Sequence, residues 1–352
     1  MKGTIILAGA GASLAEALPS RPAKKATPPL DVTFFDLCRD ADLDGYHTVQ
    51  QYMTKHYGID LEKGPLRMEE VFNYVYSDAH GQQSTDEALQ AYRFLLRMYS
   101  DALAKTTNDL EGMSRFGVGA LLRYLWSEDR NRAITFITFN HDLVIEKAIE
   151  NTAQLLKYSG IPWNIRLAYK LDFGEWTTLR GGSKPFSSSS TASITILKMH
   201  GSLNWVYRVR SGADPKNSIR SPKGKLTCLN ETRITLGLRQ YSGKKWTDLI
   251  PLVVPPIYEK AALYQRAISP IWNHAFNTLK AADEIYIFGY SLPDADIGAR
   301  SLLRRAIHES PKLAKVSVID TQPFVAAKIA SFLAVDSLEY YASVPSMLSR
   351  IA

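Results

Sequence analysis

The sequence predicts an α/β protein built on an open, doubly wound parallel sheet, and three observations carry that expectation. Five short apolar segments rich in β-branched residues read as buried strands: Thr4–Ala8, Ile134–Thr138, Ile194–Met199, Ile285–Phe288 and Val316–Ile319. Each is followed by turn chemistry and usually by a helical pattern, the alternation that right-handed crossovers require. The 352 residues are 45% hydrophobic and 22% charged, which allows a sizeable core and excludes a largely disordered chain.

The first strand opens into Gly9-Ala10-Gly11-Ala12-Ser13. Lys2 and the run Thr4–Leu18 resemble the basic and apolar regions of a secretory signal, but the glycines make a poor apolar core and Glu16 interrupts it. A strand and a glycine turn explain the same residues better. No stretch reaches the roughly 18 uninterrupted apolar residues of a membrane span, so the expectation is a cytoplasmic protein without a membrane partner. About 125 residues separate the first two strands and are mostly helical in pattern, including Met68–Tyr76, Thr85–Ala104 and Phe116–Trp126. So long a segment, about 31–130, reads as a helical insertion rather than a loop.

The second strand leads into the helical pattern Leu143–Leu156. Two smaller mixed insertions follow. One covers about 161–193, starts as a strand-like ribbon and ends in Gly181-Gly182-Ser183 and Ser187–Ser190. The other covers about 205–250 and includes the alternating stretch Thr232–Leu238. The whole reads as a single Rossmann-like domain over 1–352, with no internal repeat.

Charge and cysteine content narrow the chemistry. Cys38 and Cys228 are far apart, leaving no disulfide framework and no Cys-x-x-Cys pair for a structural zinc. The net charge of +7 is concentrated in one place: from Lys198 to Lys225 seven basic residues stand against Asp214 alone, a local charge of +6. That stretch is a candidate surface for an acidic partner, and equally a solvated loop.

Ligands of doubly wound sheets bind outside the carboxyl ends of the strands, so the candidate residues are those that follow each strand. The Gly9–Ser13 turn lets backbone approach a pyrophosphate at a helix N-terminus, yet Leu14 occupies the third glycine position of the dinucleotide fingerprint. A turn that merely needs small residues fits as well. Arg21, Pro28 and Pro29 follow in an irregular stretch that could fold over such a ligand. Thr138-Phe139-Asn140-His141-Asp142 supplies two residues suited to helix capping, which accounts for one of Asn140 and Asp142 but not the whole run. His200 lies at the third strand's end, before Gly201. Gly289-Tyr290-Ser291-Leu292-Pro293 opens a further helix with a small, hydroxylic turn suited to phosphate, and Asp320 stands where an acid would accept from a ribose hydroxyl, or where a solvated turn acid would stand.

The order Gly-Ala-Gly-Ala-Ser, Thr-x-Asn-x-Asp, Lys-x-His-Gly-Ser, Gly-Tyr-Ser resembles the sirtuin superfamily, in particular its bacterial branch associated with NAD consumption in antiphage defence. The resemblance covers the sheet from Gly9 to Asp320 and none of the insertions. It implies NAD+ as substrate, with phosphates cradled by Gly9, Ala10, Gly11 and Ser13 and contacted by Ser291. It also implies that Asn140 and Asp142 serve the nicotinamide ribose and amide pocket, that His200 is the catalytic histidine, and that Thr138, Gly289 and Asp320 line the dinucleotide site. Two departures count against peptide deacylation: the chain lacks the two Cys-x-x-Cys pairs of the zinc module, and Leu14-Ala15-Glu16 follows Ser13 in place of Gly-Ile-Pro-Asp-Phe-Arg.

What the resemblance implies is NAD+ hydrolysis without metal. Nicotinamide leaves without a general acid, Asn140 positions the water or the ribose, and neutral His200 accepts a proton. Alternation at the turn points His141 elsewhere. A hydrolase that destroys NAD in its own cell needs a regulator, so self-assembly, a sensor or activator protein, or a nucleic-acid or nucleotide trigger is expected. Protein ADP-ribosylation or deacylation, and a non-catalytic nucleotide-sensing subunit, stand as the other readings.

Overall fold

The computed structural model describes residues 3–18, 28–63, 66–82, 84–110, 114, 116–129, 132–155, 165–171, 173, 175–177, 194–210, 226–229, 239–242, 245–257, 261–294, 296–335 and 338–351. Arg21, the Gly181–Ser183 and Ser187–Ser190 runs, Thr232–Leu238 and the basic stretch beyond Arg210 fall outside them.

The five strands read from the sequence are all present, each within one residue of its expected ends: β1 (Gly3–Ala8), β2 (Ala133–Thr138), β4 (Ile194–Lys198), β9 (Glu284–Phe288) and β10 (Lys315–Ile319). A sixth, β11 (Glu339–Tyr341), closes one edge and is too short for a periodic signal. The spatial order is β11-β10-β9-β1-β2-β4, and every pairing is parallel. Chain order therefore reverses between β1 and β9, the switch point at which such sheets form a crevice. Buried on both faces, these strands show the near-continuous apolar pattern expected of a doubly wound α/β fold.

Helix α1 (Ala10–Ala17) follows β1 directly. The helical stretch then holds α2 (Phe34–Asp40), α3 (Tyr46–Tyr57), α4 (Met68–His80), α5 (Asp86–Asn108) and α6 (Val118–Glu128). Thr85 caps α5 by accepting from the Ala88 N–H, and the acids Asp86 and Glu87 complement the positive end of its dipole. Residues of α2–α5 bury a core of their own around Phe34, Phe72, Tyr92, Leu95 and Met98. That core also takes in Leu143, Leu203, Val253 and Ile257, which lie on the site side of the molecule. Glu16, at the end of α1, accepts from the Ser114 and Gly119 N–H groups around the start of α6. Burial raises its carboxyl above the usual range, against those backbone donors.

After β2 comes α7 (Val144–Leu155). The described part of the expected 161–193 ribbon is a short helix, α8 (Ile165–Ala168), and a three-residue strand, β3 (Glu175–Thr177), rather than a strand-like start. Past β4 the chain does not enter a helix. Gly201, at φ +87, turns it into β5 (Gly201–Arg210), which joins β6 (Leu226–Leu229), β7 (Arg239–Ser242) and β8 (Lys245–Val253). With β3 these make a second sheet of order β3-β6-β5-β8-β7. Helices α9 (Ala261–Lys280), α10 (Ile297–His308), α11 (Pro323–Leu333) and α12 (Val344–Ile351) complete the chain.

Candidate functional site

At the switch point the turns after β1 and β9 interlock. Gly9 N–H donates to Phe288 O and Gly11 N–H to Gly289 O, both at 3.0 Å. A Cβ on Gly11 would sit 2.8 Å from the Gly289 Cα, and Gly289 itself has φ +57, so backbone-to-backbone approach demands glycine here. The glycine turn thus has a structural reason independent of any ligand. Two of its amide donors are spent on the neighbouring loop.

The turn after β2 divides the roles of Asn140 and Asp142. Asp142 serves the helix start from just ahead of it: its Oδ1 accepts at 3.0 Å from the N–H of Val144, the first residue of α7. Asn140 is not a cap. Its own N–H is fixed by Thr138 Oγ1, and its carboxamide nitrogen donates to Gly9 O at 2.8 Å and to Ser13 Oγ at 2.9 Å. Ser13, fully buried, donates its hydroxyl to Asp142 Oδ2 at 2.9 Å. A continuous chain of bonds, Asn140 to Ser13 to Asp142, therefore ties the ends of β1 and β2 together. Burial raises the Asp142 carboxyl above its ordinary range, opposed by the nearby Lys198.

His200 stands in the turn after β4, 7% exposed. Its Nε2 lies 3.9 Å from Asp296 Oδ1, a carboxylate supplied just ahead of α10. Around its ring are Phe139 at 5.1 Å and Trp272 at 6.2 Å between centroids, and Phe139 in turn stacks on Tyr290 at 5.0 Å. Trp272 is held by its indole N–H, which donates to Met199 O at 2.9 Å. An aromatic wall of this kind suits a flat ring.

His141 does not point away. Its ring lies nearly parallel to that of His200, 6.1 Å between centroids, and its Nδ1 is 2.8 Å from Tyr99 Oη on α5. Residue 141 is already three positions past the end of β2, where strand alternation no longer governs direction.

Lys198 also differs from expectation. It belongs to no basic surface: it is wholly buried, paired with Glu146 at 3.1 Å and bonded to the carbonyl of Asp142. Glu146 Oε1 also accepts from Tyr169 Oη at 2.8 Å, and Tyr169 meets Asn204, so a connected buried polar network underlies the site. Arg208 and Arg210 lie on β5.

The remaining candidates spread outward. Ala10 and Ser291 are exposed, and Ser291 lies six residues ahead of α10 rather than at its N-terminus. Asp320, half-buried at the end of β10, accepts from the Gln322 N–H at 2.9 Å, and burial raises its carboxyl. Among the described residues no group of three or more His, Cys, Asp or Glu is arranged to hold a metal. Nor, among them, is any helix long and apolar enough to cross a membrane. The signal missed in the sequence is that of Asp296, which reads only as part of an Asp-rich turn, and of Tyr99, which lies on a distant helix.

No family model matches the sequence, and no curated protein does. Among solved structures the chain is similar to a Sir2–p53 peptide–NAD+ complex, 14% identical over 99% of this chain and 91% of that one, with a TM-score of 0.42. A structure of Sir2Tm bound to a propionylated peptide is 14% identical with the same coverage and a TM-score of 0.40. A mutant Sir2 homologue complexed with 2'-O-acetyl ADP ribose is 12% identical over 99% and 89%, with a TM-score of 0.42. Likeness at these values assigns no activity. The fold and the site define the class: a doubly wound α/β protein whose polar cluster lies at the switch point of its parallel sheet.

Proposed function

We propose that the chain is an NAD+ glycohydrolase, releasing nicotinamide and ADP-ribose, and that it acts as an effector of antiphage defence. The observation that carries the reading is the convergence of Asn140, Ser13, Asp142 and His200 at the carboxyl ends of the adjacent strands β1, β2 and β4. It is supported by the motif order of the sequence.

In this reading water attacks the anomeric carbon of the nicotinamide ribose. The C–N bond breaks with its electron pair going to the cationic nicotinamide, and the proton from water passes to His200. The oxocarbenium-like transition state needs orientation and a positioned acceptor more than acid catalysis. Asn140, its amide nitrogen anchored at two points, offers its carboxamide in a fixed direction. The carboxylate of Asp296 stabilises the imidazolium that forms. No metal enters this chemistry.

Incubation of the protein with NAD+, followed by chromatographic separation, tests the reading. Nicotinamide and free ADP-ribose in equal amounts support hydrolysis; transfer of ADP-ribose to protein, or bound but intact NAD+, points to the transferase or sensor alternatives. The defence role adds a regulator, by self-assembly, an activator protein or a nucleotide or nucleic-acid trigger. Binding to nucleic acid that falls steeply with salt is the test of the last.

A further inference from the structure

Three contacts tie the helical insertion to the candidate site. Tyr99 Oη, on α5, is bonded to His141 Nδ1 at 2.8 Å. Thr107 Oγ1, two turns further along the same helix, accepts from the Leu143 N–H at 3.2 Å. Leu143 and Leu203, which flank Asp142 and follow His200 in their turns, are buried in the core that the insertion builds. The two site turns are joined to each other as well, by Leu203 N–H donating to His141 O at 3.1 Å. Tyr99 is clamped in turn by Phe34 and by the edge of Phe72, 5.6 Å away. The ring of His141 is thus fixed from one side by the insertion and lies against the ring of His200 on the other.

We propose that Tyr99 is a positioning residue through which the helical insertion sets the orientation and tautomer of His141, and through it the placement of His200. The kinetic consequence rests on the NAD+-cleaving reading; the structural coupling does not. A hydrogen bond to one imidazole nitrogen decides which nitrogen carries the proton, and hence what the opposite side of the ring presents. The groups facing this pair are Asp142 and, beside His200, Asp296; burial first, and the Asp142 carboxylate second, hold the Tyr99 phenol in its protonated form. Anything that shifts α5 relative to the sheet moves His141 directly, so a partner acting on the insertion has a short route to the site.

The test uses Tyr99→Phe, His141→Leu and the double variant of the full chain, each shown to be folded by thermal melting. Side-chain 15N NMR of the histidines is read first, since it needs no turnover. In Tyr99→Phe the tautomer signature of His141 changes and the titration midpoint of His200 moves; unchanged spectra for both rings overturn the proposal, whether or not NAD+ is cleaved. Where the wild type turns over NAD+, Tyr99→Phe lowers kcat about tenfold with little change in KM and displaces the acid limb of the pH profile. The double variant loses no more than His141→Leu alone, because the two act through one another. Additive losses, or an unaltered pH profile, contradict the coupling. A wild type that leaves NAD+ intact counts against the glycohydrolase reading only.

Discussion

The two ends of the parallel sheet both bury charged side chains, and they use them differently. At the amino end Arg132 meets Glu284 at 2.6 Å, Thr4 Oγ1 donates to the same carboxylate at 2.7 Å, and Asp283 accepts from the Gly3 N–H. These groups pair chiefly with one another. At the carboxyl end Asp142 accepts from the Val144 N–H and from Ser13, which accepts in turn from Asn140; His200 stands 3.9 Å from Asp296, and a second imidazole lies beside it. Here the polar groups are fixed in direction rather than simply neutralised, and burial works against the charge on Asp142. The paired groups of the amino end and the directed groups around Asp142 and His200 are thus separated by the length of one strand.

The largest effect that would sharpen this contrast is at the amino end. Arg132→Met strands the buried Glu284 carboxylate and costs about 3–5 kcal/mol of stability by denaturant titration, while the activity of the remaining folded protein is unchanged. A comparable loss of activity per folded molecule would break the comparison. Lys198→Met tests it from the other side, since this ion pair lies at the carboxyl end: stability falls by about 3 kcal/mol and activity falls with it, because the Asp142 carbonyl loses its donor.

The smallest effect is one of pH. The raised Asp142 carboxyl favours the protonated form in the folded state, so its favourable contribution is complete below about pH 4, its unfolded range, and is lost as pH rises through the folded value. Asp142→Asn removes that slope. Its thermal midpoint therefore improves relative to the wild type as pH rises from 4 to 7; parallel curves for the two proteins would show that Asp142 carries no such cost.

How far the sequence reached follows the same division. Strands were legible because a strand buried on both faces is a continuous apolar run, and all five expected ones lie within a residue of their places. Four glycine and polar turns were legible because the fold directs attention to the ends of strands. What was not legible is direction and distance. Lys198 is counted as surface charge from sequence, whereas its partner Glu146 is 52 positions away and both are buried. His141 lies past the reach of strand alternation, and Tyr99 reaches it from 42 positions away on another helix. The second sheet escaped because its strands pair across long, low-periodicity segments.

The most direct measurement of the central claim is NAD+ cleavage by the purified wild type set beside Asn140→Ala and His200→Ala, with binding of intact NAD+ followed by ligand-observed NMR. The expected result is nicotinamide and ADP-ribose in equal amounts from the wild type and a loss of at least about a hundredfold in each variant, read per folded molecule. Full turnover in both variants, or a wild type that makes no contact with NAD+, would contradict it.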